Sequence, residues 1–499
     1  MAAANSLTQL LYEGAALNPA AVAVDWGDGT LSYAELMQRV ESAGAALRQR
    51  LPDPGSRIAL CAANHCDHLV AYLAILVSGF VWIPLNPANG RSLNSLIASK
   101  SKPDLILVDH ASLEQAPESE QLQLVDNLSD EPDAFEAMHA EPADVAAIKF
   151  TGGTTGEPKG VVQTHGNMLA VIENMQTFYD FSPRDCNLLV APLTHGSSHY
   201  VFPLLAKGGR HRFPRDRSAT SILAALRDNT TVTFMPPTLI YKLLQQTDLS
   251  PEQFPTLRHL TYSAAPMPTD RIVEAQRAFG PRISSLYGQT EAPLTISALG
   301  AEEMQESDLR GTVGRACSNS HLRVVNDIGV EVPAGTIGGV EAKGPIVMQG
   351  YLDEPALTGV TMRDGWLRTG DLGFLNEAGY LTLSGRVGEV IITGGFKVYP
   401  AEVENVMAKV PGVRECCVYS VDDGYWGERI EAVVVLDADS STSESEIMAF
   451  IRNELGPVRT PKALHKVAAL PRNAVGKVVR RDVPAYVETR RERSDVQSV

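Results

Sequence analysis

The sequence predicts an α/β protein. A large multi-layer N-terminal domain of mostly parallel sheets flanked by helices ends in a small β-barrel-like subdomain, and a small α+β domain follows. Three observations predict this. Through the first part of the chain, apolar strand-like runs alternate with amphipathic helical patterns, as in parallel sheets covered by helices. From about Gly311 the texture changes to short strands separated by Gly turns. After Gly385-Arg386 it changes again, to a compact α+β pattern. At 499 residues the chain is too long for one core. The expected division is 1–386, with 311–386 as the β-rich subdomain, a boundary at 387–388, and 389–499.

Ser32 precedes Glu35 by three residues and opens an amphipathic helix to about Leu47, a capping-box pattern. Ile58–Cys61, Asp104–Val108 and Leu188–Val190 read as buried strands. Ala219–Asn229 and Pro237–Gln246 read as helices. In the later part, His321–Val325, Gly338–Ala342 and Tyr380–Leu383 read as short strands. Beyond them come a helix at about Ala401–Ala408, strands at Arg414–Val421 and Glu431–Asp437, and a helix at Glu444–Glu454.

Composition excludes several classes. Hydrophobic residues make up 44% and charged residues 20%, as in a globular enzyme. A net charge of −16 argues against a general nucleic-acid binder or a binder of anionic membranes. The six cysteines form no C-x-x-C pair and no metal-ligand spacing, which suits a reducing, cytoplasmic location. No basic residue precedes Arg39, so no secretory signal is expected. The most apolar stretch, Leu69–Ile83, is broken by Ser78-Gly79 and is too short to span a membrane. A buried helix, a Gly turn and a strand fit it better.

The chemistry concentrates in Thr151-Gly152-Gly153-Thr154-Thr155-Gly156-Glu157-Pro158-Lys159-Gly160. Glycines let backbone N–H groups approach an anion, threonine hydroxyls add donors, and lysine adds charge. Pro158 separates Gly156 from Lys159, so this is not a Walker A loop. Val145–Phe150 before it and Gly160–Thr164 after it read as strands, which places the loop at the tip of a β-hairpin. Tyr287-Gly288-Gln289-Thr290-Glu291 follows an apolar strand, and a carboxylate there suits Mg²⁺ on a nucleotide. Asp371 in Thr369-Gly370-Asp371 can accept hydrogen bonds from ribose hydroxyls. Arg386 stands at the domain boundary, and Lys477 closes a turn near the C-terminus.

In this order and spacing, these motifs resemble the adenylate-forming superfamily, which includes acyl- and aryl-CoA synthetases, from about Tyr33 to Arg481. The resemblance implies ATP, Mg²⁺ and CoA. Thr151, Gly152, Gly153, Thr154, Thr155, Gly156 and Lys159 would cradle the β- and γ-phosphates. Ala264, Ala265, Pro266 and Tyr287 would lie against adenine, with Gly288 and Gln289 beside them. Glu291 would ligate Mg²⁺, Thr290 would contact the α-phosphate, and Asp371 would hold the ribose with Arg386 nearby. Lys477 would stabilise charge on the α-phosphate and the attacking carboxylate. The small C-terminal domain is expected to be mobile. Its rotation would bring Gly394, Gly395 and Lys397 to a thiol tunnel, with Trp426 packed on CoA or else a core aromatic. Gly388 stands where the family usually has a charged hinge residue, which keeps backbone freedom but removes a side-chain anchor.

By the same resemblance, the acid pocket includes His195, Gly196, Ser197, His199, Pro236, Ala264, Ala292 and Pro293, with His195 against the carboxylate end. No acidic residue lies between Pro192 and Phe202, which argues against an amino-acid substrate. Aryl and aliphatic acids stay open, with a lean toward an aryl or medium-chain acid. The expected activity is ATP-dependent acid–CoA ligation. The alternative is loading of a carrier protein's phosphopantetheine, and a non-catalytic binding protein is disfavoured by Lys477, Glu291 and Asp371 together. A homodimer is compatible with the sequence.

Overall fold

In the computed structural model of the chain, residues 6–128, 135–152, 157–473 and 477–496 are described. They pack into two compact units. The first comprises Met1–Ala265, Glu274–Arg323 and Glu341–Thr369; the second comprises Pro266–Val273, Val324–Val340 and Gly370–Val499. The stretch 311–386 is thus shared between the two.

The first unit contains two large sheets. In the nine-stranded sheet the order is Arg315–Ala316, Ala292–Leu299, Ile283–Gln289, His259–Tyr262, Val232–Met235, Cys186–Leu188, Arg210–Arg212, Val22–Asp25 and Thr30–Ser32. Strands from Ile283–Gln289 through Val22–Asp25 are parallel. Antiparallel pairs occupy the two ends. The strand expected at Leu188–Val190 lies at Cys186–Leu188, because its neighbours fix the register: Cys186 pairs with Arg210 and Leu188 with Thr233. The seven-stranded sheet runs Gly350–Tyr351, Pro158–Thr164, Val145–Gly152, Val81–Leu85, Arg57–Cys61, Leu105–Val108 and Leu122–Leu124. Its last five strands are parallel.

The local signals explain the helices between them. Helix Tyr33–Arg50 starts at Ser32 with both hydrogen bonds of the capping box. Helix Cys66–Val77 is buried at every residue except Asp67, so its sequence is apolar all round. Gly79 then turns with φ +78°, and the chain enters Val81–Leu85. Leu36, Tyr72, Trp82, Leu193 and Phe202 meet in the main core of this unit. Among the described residues, no helix is long and apolar enough to cross a membrane.

In the second unit the strands Val413–Asp423 and Gly427–Leu436 form an antiparallel pair, extended by Ile391–Thr393, Phe396–Val398 and Ala463–Lys466. The period-2 alternation of the central pair sorts its side chains. Val418, Ile430, Ala432 and Val434 face helices Pro400–Met407 and Glu444–Arg459. Cys417, Tyr419, Val433 and Val435 face the other way, onto Val483 and Val487 of helix Val483–Val496. All six cysteines are unpaired.

Candidate active site

Three parallel neighbours of the nine-stranded sheet end side by side, since Met235 pairs with Tyr262 and Tyr262 with Ser285. The chain leaving their carboxyl ends carries Pro236, then Ser263-Ala264-Ala265, then Tyr287 to Glu291. In open α/β sheets that end is where ligands bind. The structure therefore brings Pro236, Ala264, Ala265, Tyr287 and Thr290 to one edge of the sheet, while Pro266 falls in the second unit. Ala264 has φ +73° and Leu294 φ +53°, left-handed conformations that residues with a Cβ seldom adopt and that cluster at functional sites.

The segment Thr290-Glu291 is the turn of a hairpin between Ile283–Gln289 and Ala292–Leu299. Gly288 is obligatory there. A Cβ on it would lie 2.3 Å from the Leu294 nitrogen and 2.7 Å from the Ala292 oxygen. Two main-chain tethers hold the turn. Gln163 Nε2 donates to the Thr290 carbonyl at 2.7 Å, and the Met348 N–H donates to the Glu291 carbonyl at 2.8 Å. The Glu291 side chain is buried, and the Tyr351 hydroxyl donates to its Oε1 at 2.8 Å. Burial, then the Glu291 charge, raises the Tyr351 phenol above its ordinary value, so it stays a donor. The Gln289 Nε2 is buried and has no partner among the described residues. A stranded amide donor costs about 1–3 kcal/mol unless an acceptor arrives, and a nucleotide is rich in acceptors.

The two strands that flank the Gly-rich loop pair as the sequence predicts. Val145–Gly152 and Pro158–Thr164 form an antiparallel hairpin whose ladder runs to Thr151–Lys159 and Gly152–Pro158. Gly153, Thr154, Thr155 and Gly156 lie outside the described residues. The Lys159 ammonium sits 5.9 Å from the Tyr351 ring centre, so the loop's base and the residue holding Glu291 touch. No cluster of three or more His, Cys, Asp or Glu that could hold a metal occurs among the described residues. A single buried carboxylate next to a phosphate loop fits Mg²⁺, which takes one or two protein carboxylates and fills its octahedron with phosphate oxygens and water.

The acid segment forms a short helical turn, Gly196–Tyr200. His195 precedes it with its Nδ1 2.9 Å from the Thr194 hydroxyl. Beneath the turn lies a residue that the sequence reading passed over, Lys149 of strand Val145–Gly152. It is 5% exposed. Its ammonium donates to Ser198 Oγ at 3.2 Å, lies 2.9 Å from His199 Nε2, and stands 5.1 Å from the Trp82 ring centre. Ser198 Oγ in turn donates to the His195 carbonyl at 2.8 Å. Among the described residues Lys149 has no carboxylate partner, only the Ser198 hydroxyl, the His199 ring and the Trp82 face. Desolvation pulls its pKa down to about 7. Desolvation and the Lys149 charge pull His195 down to about 4 and His199 well below its ordinary value. Both rings are neutral at physiological pH, which lets His199 Nε2 accept from Lys149. His195 is exposed to solvent, while the groups around it still desolvate its ring.

In the second unit Asp371 and Arg386 are cross-strand partners, and Arg386 Nε meets Asp371 Oδ1 at 3.0 Å. Lys477 lies within electrostatic reach of both. Desolvation, then the Arg386 charge, lowers its pKa, while Asp371 and Glu389 oppose the shift. The lysine closes a turn on Asn473: its N–H donates to Asn473 Oδ1, and its carbonyl accepts from the Asn473 N–H, both at 2.9 Å. The structure therefore gathers Asp371, Arg386 and Lys477.

Gly394 and Gly395 form the tight turn between Ile391–Thr393 and Phe396–Val398, with φ +56° and +83°. A Cβ on Gly394 would lie 2.8 Å from the Trp426 ring. Trp426 is 41% exposed, so it is not a core aromatic. Ile392, Phe396 and Tyr425 are exposed with it, and the Lys462 ammonium is 5.3 Å from the Trp426 ring. Lys397 is exposed on the same hairpin. Gly388 sits in the turn Val387–Glu389, where a Cβ would meet nothing within 4 Å.

A family model described as AMP-binding enzyme matches residues 11–352, and one described as AMP-binding enzyme C-terminal domain matches 402–477. Among curated proteins, a feruloyl-CoA synthase of Amycolatopsis is 32% identical, over 94% of this chain and 96% of its own. A 2-succinylbenzoate–CoA ligase of Bacillus licheniformis is 30% identical over 94% and 98%. A medium/long-chain fatty-acid–CoA ligase of Mycobacterium tuberculosis is 28% identical over 92% and 86%. Among solved structures, ATP-bound MatB of Rhodopseudomonas palustris superposes with TM-score 0.86 at 30% identity, covering 96% of this chain and 98% of that one. An o-succinylbenzoate CoA synthetase of Bacillus subtilis bound to its acyl-adenylate gives 0.85 at 26% identity, covering 95% and 97%.

Burial of Lys149 has a consequence for stability. Its folded pKa of about 7 lies below the ordinary lysine value. Between the two, the unfolded chain binds one more proton, so this group's contribution to stability rises with pH across that window and is most unfavourable at and below its lower end. Lys149→Met removes the buried charge and is expected to stabilise the protein by roughly 1–4 kcal/mol near neutral pH. The gain should shrink toward about pH 10 in denaturant melts. A gain that does not vary with pH would mean that the lysine keeps its ordinary value.

Proposed function

This chain belongs to the AMP-binding enzymes, and from that we infer that it is an adenylate-forming carboxylic acid–CoA ligase. One observation carries the reading. Asp371, Arg386 and Lys477, far apart in sequence, converge in one unit, with the lysine desolvated beside the Asp371–Arg386 pair. A carboxylate is a poor electrophile, because its carbon is electron-rich and oxide is a poor leaving group. Its oxygen attacks the α-phosphorus of ATP, the bond to pyrophosphate breaks, and an acyl-adenylate forms. The CoA thiolate then attacks the acyl carbon, and AMP leaves with the bonding pair.

Thr151, Gly152 and Lys159 are assigned to the departing phosphates together with the loop residues Gly153, Thr154, Thr155 and Gly156. Thr290 is assigned to the α-phosphate. The ordered Tyr351–Glu291 contact supports Glu291 as the Mg²⁺ ligand. The ion would neutralise charge on the phosphates. Gln289, Tyr287, Gly288, Ala264, Ala265 and Pro266 serve the nucleoside, and Asp371 its ribose. Arg386 holds Asp371 in place. His195, as a neutral ring, can stack on the carboxylate end without trapping it as an ion pair.

The exposed Trp426 beside the Gly394-Gly395 turn, with Lys397 and Lys462 near, supports free CoA as acceptor, since an aromatic face and lysines suit a nucleotide. The relatives' acids include ferulate, succinylbenzoate and fatty acids, which favours an aryl or medium-chain acid here. The unpaired cysteines favour a reducing, cytoplasmic location. A carrier protein is the second acceptor class.

A pyrophosphate-release screen over aryl, short, medium and long acids, with free CoA or a phosphopantetheinylated carrier, tests the reading. Thioester on free CoA is the expected product. Pyrophosphate release with product only on the carrier would transfer the enzyme to the second class. Lys477→Ala removes a preorganised charge and should slow adenylation about 10²–10³-fold; an unchanged rate would strike Lys477 from the active site. Gly388→Pro fixes φ at a position where the present packing does not demand glycine. It should spare pyrophosphate exchange and block thioester formation. Loss of both half-reactions, or of neither, would argue against a hinge there.

A further inference from the structure

Lys149 is a buried cation with an unfinished environment. An ammonium has three N–H donors. One goes to Ser198 Oγ and one to His199 Nε2, leaving a third with no protein acceptor among the described residues. The Trp82 ring faces the charge, but a ring is a weak substitute for a counter-ion. The neighbouring elements supply only neutral groups: Trp82 from the strand Val81–Leu85, and His195, Ser198 and His199 from the acid segment. A chain with 59 acidic residues has placed none of them here. Burying an unpaired charge is among the most unfavourable arrangements in a protein: without a counter-ion the group moves toward its neutral form, and an arriving carboxylate would restore the charge.

We propose that Lys149 selects a dicarboxylic acid, pairing with the carboxylate that is not activated. The inference rests on the acid–CoA ligase reading and names the substrate class of that site. Lys149 touches two residues of the acid segment, and it lies on the same strand face as Thr151, two residues along, where the phosphate loop begins. Two carboxylates could claim it. The reacting one loses its charge when it becomes a mixed anhydride. A buried cation paired to it would stabilise the ground state, oppose the attack and lose its partner in every turnover. The distal carboxylate keeps its charge through adenylation and thioester formation, so a pair with it survives both steps. Lys149 is therefore a specificity-determining residue and takes no part in bond making.

The test compares wild type with Lys149→Met on matched acids: adipate against hexanoate, and 3-(4-carboxyphenyl)propanoate against 3-phenylpropanoate. Wild type should show the higher kcat/KM for pyrophosphate release with each diacid. In the variant the diacid-to-monoacid ratio should fall by about 10²-fold or more, because a buried carboxylate has lost its partner. A wild-type preference for the monoacids, or an equal loss on both members of each pair, overturns the proposal. A second measurement, protection against thermal unfolding without ATP, separates this inference from the ligase reading. If no acid yields pyrophosphate, the ligase reading falls. Protection of wild type by adipate, but not of Lys149→Met, would still place the carboxylate on Lys149. Equal protection of both proteins, or none of wild type, would remove it.

Discussion

A protein of net charge −16 has to hold three anions: a nucleoside triphosphate, an acid and CoA. Its overall field opposes them, but at physiological salt that field is screened beyond about 8 Å. Binding therefore depends on cations placed within contact range, and the fold supplies them with different supports. Arg386 is braced by Asp371. Lys477 is desolvated near Asp371 and Glu389, which keep part of its charge favourable. Lys159 leans on the Tyr351 ring. Arg386 and Lys477 thus have carboxylates nearby, whereas Lys159 has only a ring among the described residues. Lys149 has a ring, a hydroxyl and an imidazole, and no carboxylate among the described residues. On the proposed reading, that difference would set the nucleotide-facing cations apart from Lys149, whose partner would come with the acid.

Much of this was legible in the sequence, where a local rule carries the signal. The Ser32–Glu35 capping box needs only its own turn, and it formed. The strands flanking the Gly-rich loop pair with each other because they are close neighbours in the chain. The apolar run from Leu69 resolved into helix, turn and strand because Gly79 breaks it. The strands of the last part were legible because their period-2 pattern reports two packed faces. What escaped depends on partners distant in the chain. Tyr351 meets Glu291 across 60 positions, and Lys149 meets His199 across 50. A lysine inside Val145–Gly152 reads as a tolerated charge in an apolar strand until a neighbouring turn is known to cover it. The signal was there in a weak form, since a charge in a run otherwise apolar asks for a partner. The exposure of Trp426 was equally hidden, because a sequence does not tell a core aromatic from one standing on a turn.

Within each unit, residues assigned to ligands stand on antiparallel hairpins rather than on long loops. Thr290 and Glu291 stand at one hairpin tip, Thr151 and Lys159 at the base of another, and Gly394 and Gly395 at a third. A ladder fixes the two stems of a hairpin to each other, so the tip inherits its position from hydrogen bonds that no ligand has to supply. At the Glu291 turn the same logic goes further, since both main-chain carbonyls are tied to other strands and segments while the side chains remain to act. Preorganisation of this kind spares the reaction the work of orienting dipoles as charge moves from carboxylate to pyrophosphate. It also explains the glycines. Gly288 lets the returning strand close on the turn, and Gly394 leaves room for the exposed Trp426 ring. The open surroundings of Gly388 have no such local reason. Glycine there is tolerated rather than demanded by the local packing, which is why Gly388→Pro is the informative substitution at the proposed hinge.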